Sequence, residues 1–235
     1  MNKQIILDVF KQNNFQLTQT QLEQFNTYYN LLIEYNNKYN LTAITDISDV
    51  ASKHFVDSIL PQHFINKNSK ILDIGCGAGF PSIPLAIMRP DLNFTLIDSV
   101  GKKIDFINII IDALGLKNCT TQHTRAQEFC NAKNRSAYDY AIARAVAPLN
   151  VLCELCIPFI KHTGTMLAYK GINYKEEIQN SKNAFAKLFI KIEKVECIEL
   201  NTTEVLTRYF LFIKKTRPTP TIYPRQKNLI KTKPL

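Results

Sequence analysis

The sequence contains no apolar run close to the roughly 20 residues that a membrane-spanning helix requires. Residues 1–8 also place Asp8 where the apolar stretch of a signal peptide would have to lie. These two absences argue against a membrane protein and a secreted protein, so we expect the chain to act in the cytoplasm.

The six cysteines are too few for a small scaffold held together by disulfides, and we expect reduced thiols. Cys153 and Cys156 form a C-x-x-C pair without a second pair to complete it. A structural zinc needs four ligands, whereas this pair lies inside the apolar run 149–160. The pattern therefore favours a buried helix, and we expect no metal site.

Glycine is scarce, with only seven in the chain, yet three of the seven fall within residues 75–79. Gly75, Gly77 and Gly79 follow an apolar strand pattern over 70–74, and a purely structural turn rarely needs three such residues. The turn therefore predicts a ligand site. The dinucleotide fingerprint requires a further glycine where Phe80 stands, and no Gly-Lys-Ser/Thr follows as in a P-loop, so both of those assignments are weakened.

The pattern along the chain predicts an α/β fold with three parts. Residues 1–62 have helical periodicity and should form an N-terminal helical extension packed on the core. Short apolar strands alternate with helices over 63–215, which indicates a mostly parallel sheet. The last two strands, near 190–199 and 205–214, are too close in sequence for a crossover helix and should pair as an antiparallel hairpin. Residues 216–235 are rich in proline and predict an extended arm.

Positive charge is concentrated at the C-terminal end of the chain. The formal net charge is +9, and seven of the 29 basic residues lie in 214–235, where there is no acidic residue. The rest of the chain is nearly balanced, with 22 basic and 20 acidic residues. Such a cluster is typical of a segment that binds a polyanion, and the alternative is a tail that keeps the chain soluble.

Several polar residues fall at strand ends, where ligands bind in an open parallel sheet. Asp98 ends the second strand and is suited to binding ribose hydroxyls, or alternatively to capping the next helix. Arg144 ends the fourth strand and suits a cofactor carboxylate or guanine O6, and Lys170 directly follows the fifth and suits a phosphate or base. His54 and Asp57 lie one helical turn apart, which favours a cap or RNA contact over a catalytic relay.

Taken together, six segments resemble one family over nearly the whole chain, the bacterial ribosomal small-subunit methyltransferase G family, also called glucose-inhibited division protein B. The segments are 40–44, 54–58, 73–84, 95–103, 143–147 and 223–225. The resemblance implies a Rossmann-like class I methyltransferase fold with a seven-stranded sheet. It further implies transfer of a methyl group from S-adenosylmethionine to N7 of a guanine in the decoding-region loop of small-subunit (16S) rRNA.

The resemblance also implies site residues in this chain. The cofactor contacts of the family fall on Gly75, Phe80, Asp98, Ser99, Val100, Ala126, Gln127 and Arg144. Gln127 departs from the glutamate of the family pattern, so a backbone contact to adenine would survive and a carboxylate contact would be lost. Arg144 and Lys170 are the candidate catalytic residues, and Lys170, Tyr223, Arg225 and Lys227 the candidate RNA-binding residues.

The residue chemistry agrees with N7 as the target atom. N7 carries a lone pair in the neutral base, so its methylation requires alignment and no proton-abstracting residue. An Asp/Asn-Pro-Pro-aromatic run, common in amine methylation, is missing after the fourth strand, and no cysteine follows Pro or Thr as C5 methylation would require. A nicotinamide-dependent oxidoreductase and a non-catalytic RNA-binding assembly factor are the alternatives. We expect a monomer that acts on rRNA or the small-subunit particle.

Overall fold

A computed structural model describes residues 1–144 and 146–235; Ala145, within the 143–147 motif, lies outside the described residues. The described chain forms a seven-stranded sheet in the order β3-β2-β1-β4-β5-β7-β6. The strands are β1 (Lys70–Ile74), β2 (Asn93–Asp98), β3 (Cys119–His123), β4 (Tyr138–Arg144), β5 (Ile160–Lys170), β6 (Ile190–Asn201) and β7 (Val205–Lys215).

Helices cover the sheet and precede it. They are α1 (Asn2–Gln12), α2 (Gln19–Tyr39), α3 (Ile47–Asp49), α4 (Asp57–Ile59), α5 (Ser82–Met88), α6 (Gly101–Leu114), α7 (Ala126–Phe129), α8 (Leu149–Cys156), α9 (Tyr174–Asn180), α10 (Lys182–Leu188) and α11 (Lys227–Thr232). A π-helical segment, Val50–Val56, joins α3 to α4. No helix among the described residues is long and apolar enough to cross a membrane.

The sheet confirms the predicted fold class. Strands β1 to β5 pair in parallel, and β7 pairs antiparallel with both β5 and β6. Because β1 lies between β2 and β4, the connections from β1 and β4 leave toward opposite edges of the sheet. A crevice opens at such a reversal beyond the carboxyl ends of the strands, and there the sheet positions the candidate site.

The N-terminal helices pack onto one face of the sheet. Helix α2 begins with a capping box between Thr18 and Gln21, which satisfies backbone groups at its first turn. Phe25 and Tyr28 on α2 are fully buried and join Phe55 of the π-helical segment in one hydrophobic cluster with the sheet. Burial of this aromatic surface holds the extension against the core.

Of two predictions for the C-terminal half, the structure agrees with one and contradicts the other. The C-x-x-C pair lies in α8 with both cysteines fully buried, as predicted, and burial raises the pKa of both thiols. The prediction of an extended arm is wrong, because residues 216–235 fold back on the domain and include α11. The physical reason is a set of tertiary contacts, in which the Arg135 guanidinium donates to the carbonyls of Thr219, Pro220 and Tyr223 at 3.0, 2.8 and 2.7 Å.

Candidate active site

The glycine turn leaves β1 at the crevice with a backbone that favours glycine. Gly75, Gly77 and Gly79 have φ values of +73°, +59° and +102°, which side chains rarely adopt. The amides of Gly75 and Cys76 donate to the carbonyl oxygen of Ile97 at 2.9 and 3.2 Å. The end of β2 thereby fixes the shape of the turn.

The three glycines meet different surroundings. A Cβ at Gly79 would lie 2.7 Å from Ile83 and 2.8 Å from the Tyr28 hydroxyl, so this position is closed by packing. A Cβ at Gly75 would lie 3.0 Å from Val146. At Gly77 the nearest atom would be a backbone oxygen 4.0 Å away. The turn therefore leaves open space at Gly77, where a ligand can approach the backbone.

Asp98 joins the turn to the loop after β2. One carboxylate oxygen accepts a hydrogen bond from the Gly77 amide at 3.0 Å, and the other accepts one from the Val100 amide at 2.9 Å. Val100 precedes the first residue of α6, so the carboxylate orders the start of that helix as well as the turn. Both roles predicted for Asp98, ribose binding and helix capping, are compatible with this geometry, since the residue also lines the cavity described below.

Asp73, at the carboxyl end of β1, is fully buried. Neither of its carboxylate oxygens has a hydrogen-bond partner among the described residues. Burial raises the pKa of Asp73 from 3.8 to about 7, although the neighbouring Ser82 and the positive charge of Arg144 oppose the shift. A buried carboxylate without a partner is costly, and Asp73 is not among the residues that line the cavities described below.

Asp73→Asn should change how stability depends on pH. Because the folded pKa is raised, the Asp73 carboxyl destabilises the fold as pH rises from 3.8 through about 7. The variant removes this charge, so its free energy of unfolding should gain on the wild type between about pH 5 and about pH 8. The gain is at most a few kcal/mol, since one pKa unit corresponds to about 1.4 kcal/mol. Urea unfolding at both pH values measures it, and a difference that is constant with pH would contradict it.

Phe80 follows the turn and packs within a stack of rings. Its ring centroid lies 5.5 Å from that of Tyr28 and 4.5 Å from that of His54, with both pairs nearly parallel. The guanidinium of Arg144 lies 5.1 Å from the Phe80 centroid, a cation–π contact. The Tyr28 hydroxyl donates to the carbonyl of Ala78 at 2.6 Å, which anchors the stack to the turn.

Arg144 at the end of β4 is held by the helical segment above it. Its Nη1 donates to the Asp57 carboxylate at 2.7 Å, and its Nη2 lies 3.2 Å from Nδ1 of His54. The other oxygen of Asp57 accepts from Nε of Arg208 on β7 at 2.5 Å. One buried carboxylate therefore holds two arginines at the crevice.

His54 is engaged on both ring nitrogens. Its Nε2 lies 2.8 Å from the Thr42 hydroxyl, and its Nδ1 faces Arg144. Burial, together with the charge of Arg144, lowers the pKa of His54 from 6.5 to about 4. The imidazole is therefore neutral at physiological pH.

One cavity of about 1000 Å³ lies at the carboxyl ends of β1, β2 and β4, large enough for a cofactor. It is lined by all eight residues predicted to bind the cofactor, namely Gly75, Phe80, Asp98, Ser99, Val100, Ala126, Gln127 and Arg144. Residues that the sequence did not single out for it also line it, among them Thr42, Lys103, Asn150 and Lys231. The structure thus brings the predicted set together, and their contacts with a cofactor stay a prediction.

The four residues predicted to bind RNA differ in their exposure and in their partners. Lys170 is buried and pairs with Glu177 at 2.6 Å. The ring of Tyr223 is also buried, and the Arg225 guanidinium pairs with Glu154 at 2.6 Å. Tyr223 and Arg225 therefore attach the C-terminal segment to the core, and RNA contacts of these residues stay a prediction. Lys227 is exposed and lines the cavity from α11.

Arg208 is the residue of this site that sequence reasoning missed. It lies on β7, predicted as part of a hairpin with no functional role. The available signal was a charged residue inside the mostly apolar run 205–213. Such a residue needs a partner, and Asp57 provides it.

Solved structures with similar folds include two that hold AdoMet or MeSAdo. TYW2 of M. jannaschii in complex with AdoMet aligns with a TM-score of 0.54 at 16% identity, covering 68% of this chain and 76% of that chain. P. horikoshii TYW2 in complex with MeSAdo aligns with a TM-score of 0.56 at 12% identity, covering 69% and 63%. Together with the strand order and the crevice site, these likenesses define a Rossmann-like class I methyltransferase fold.

Curated relatives are similar over the full length of the chain. Ribosomal RNA small subunit methyltransferase G of Streptococcus pneumoniae is 42% identical over 239 residues, covering 100% of both chains. The protein of the same name from Staphylococcus aureus is 43% identical over 228 residues, covering 96% of this chain and 95% of the relative. A family model described as rRNA small subunit methyltransferase G matches residues 21–206. The chain belongs to this family.

Proposed function

We propose that this protein transfers a methyl group from S-adenosylmethionine to N7 of a guanine in the decoding-region loop of small-subunit rRNA. The observation that carries the proposal is the cavity of about 1000 Å³ at the crevice, because it gathers eight residues from distant parts of the sequence that the family resemblance assigns to the cofactor. The family to which the chain belongs supports rRNA as the substrate.

The residues present fit the cofactor. The open space at Gly77 admits a ligand to the backbone of the turn within the cavity. Ser99 and Val100 lie beside Asp98 at the cavity wall, where a ribose and adenine would bind. S-adenosylmethionine supplies a methyl group on a positively charged sulfur, which becomes neutral when a nucleophile takes the methyl group.

N7 is a nucleophile that this site can serve without a base. Its lone pair forms the new bond to carbon, and the positive charge passes to the guanine ring, so no proton has to leave. His54 lines the cavity but is a poor base, because its pKa is lowered to about 4 and both its nitrogens face other groups. The residues around the cavity can thus orient the base and exclude water.

The charges at the crevice suit an RNA substrate. Arg144 and Arg208 share one carboxylate, and Lys227 and Lys231 of α11 line the cofactor cavity. The formal net charge of +9 adds long-range attraction to a polyanion. Because the target lies in a folded loop, it has to be presented to the cavity, either in naked rRNA or in the small-subunit particle.

Methyl transfer to small-subunit particles that lack the modification tests the proposal. We expect wild-type protein with S-adenosylmethionine to create one new site of borohydride–aniline cleavage, a treatment that cuts at 7-methylguanosine, in the decoding-region loop. Protein denatured by heat serves as the blank. Incorporation of methyl groups without cleavage would contradict N7. A complete lack of transfer, with particles still bound, would favour the assembly-factor alternative.

A further inference from the structure

A second cavity of about 720 Å³ adjoins the cofactor cavity on the side of β5 and β7. The two cavities share His54, Arg144, Val146 and Pro148 in their walls. Arg208 lines the second cavity and is not among the residues that line the first. A group bound by Arg208 would therefore lie beside the cofactor and be distinct from it.

The second cavity has an excess of positive charge. Its basic side chains are Lys53, Arg144, Lys170 and Arg208, and its acidic ones are Asp57 and Glu177. Glu177 is paired with Lys170 at 2.6 Å, and Asp57 is shared by the two arginines. Two guanidinium groups with one carboxylate leave positive charge over, which an anion can neutralise.

The hydrogen bonds of Arg208 show which edge of its guanidinium group is available to that anion. Its Nε donates to Asp57, which fixes the direction of the guanidinium. Neither Nη of Arg208 has a hydrogen-bond partner among the described residues, and the side chain is 27% exposed. A guanidinium presents its nitrogens in a planar fork that matches two phosphate oxygens.

We propose that Arg208, held by Asp57, binds a backbone phosphate of the RNA next to the guanine that enters the cofactor cavity. A phosphate fits better than a base because surplus charge, rather than an aromatic face, is what Arg208 adds to the cavity. The assignment rests on the proposed function, and it names a contact that fixes the register of the RNA chain relative to the cofactor.

Arg208→Gln tests the assignment, with Arg217→Gln as the matched control. Glutamine can still donate to Asp57 but loses the charge. Arg217 is an exposed arginine that stacks on Phe189 and lines neither cavity. For each variant we measure the affinity for small-subunit particles and the KM for particles over a salt series. The affinity for S-adenosylmethionine is measured alongside.

Arg208→Gln should weaken particle binding about tenfold, the size expected for one charged hydrogen-bonding contact. The slope of log affinity against log salt should fall by about 0.7, as for one phosphate contact to single-stranded RNA. Arg208→Lys, which keeps the charge, should keep the slope, and S-adenosylmethionine affinity should not change in either variant.

A salt slope for Arg208→Gln equal to that of the wild type would overturn the assignment, as would a loss of cofactor affinity in Arg208→Gln alone. The binding readout does not depend on turnover. If wild-type protein bound particles without methylating them, the proposed function would fail while the salt slopes still decided whether Arg208 contacts phosphate.

Discussion

Gly77→Asp should weaken S-adenosylmethionine binding by at least about 100-fold, which corresponds to about 2.7 kcal/mol. The new side chain would begin in the open space of the turn, within the cofactor cavity. Its carboxylate would also lie near Asp98, whose oxygen accepts from the amide of residue 77, and two like charges repel. Isothermal titration of wild-type and variant protein with S-adenosylmethionine measures the loss.

Gly115→Asp is the matched control for that variant. Gly115 follows α6 with φ +65°, close to the φ of +59° at Gly77, and a Cβ there meets nothing within 4 Å. Both variants carry the backbone strain of a left-handed residue, about 1 kcal/mol, but only one enters the cavity. Gly115→Asp should lose stability and keep cofactor affinity. Equal affinity losses in the two variants would mean that strain, and not the cavity, was responsible.

Arg225→Ala should reduce the free energy of unfolding by about 3 kcal/mol or more. Glu154 on α8 is fully buried, and Arg225 supplies its hydrogen bonds through the backbone amide at 2.9 Å, Nε at 2.7 Å and Nη2 at 2.6 Å. Truncating the arginine leaves a buried carboxylate without its partner. Chemical denaturation measures the loss, and Lys227→Ala, an exposed neighbour, should change stability by less than about 0.5 kcal/mol.

Adding Glu154→Leu to Arg225→Ala should restore much of that loss, because an apolar side chain at the same place carries no unpaired charge. A double variant as unstable as Arg225→Ala would show that the C-terminal segment is held mainly by other contacts. If Arg225→Ala kept full stability and lost only RNA affinity, the pairing with Glu154 would not be the role of this arginine.

The sequence predicted the sheet well because its signals are local. Apolar strands alternate with helices, and Gly115, a residue type common at helix ends, follows directly on α6. The turn at 75–79 and Asp98 were predicted for the same reason, since each follows directly on a strand. The cofactor-lining set as a whole came from family resemblance, because a cavity wall joins residues that no spacing rule connects.

The contacts that the sequence did not predict join distant residues. The prolines over 216–235 indicated an extended arm, yet Arg225 pairs with Glu154, which lies 71 positions earlier in the chain. Glu154 inside an apolar helix was the available signal that a cation had to reach it. Asp57 poses the same problem, because its two arginines lie on β4 and β7 and only the fold brings them together.

The most direct test of the central claim is the identity of the methylated nucleoside. Small-subunit particles that lack the modification are incubated with the protein and S-adenosylmethionine carrying a labelled methyl group, and the rRNA is digested to nucleosides. We predict that the label appears as 7-methylguanosine, approaching one per particle, and that Gly77→Asp gives none under the same conditions. Label in any other nucleoside, or no label with intact wild-type protein, would contradict the account.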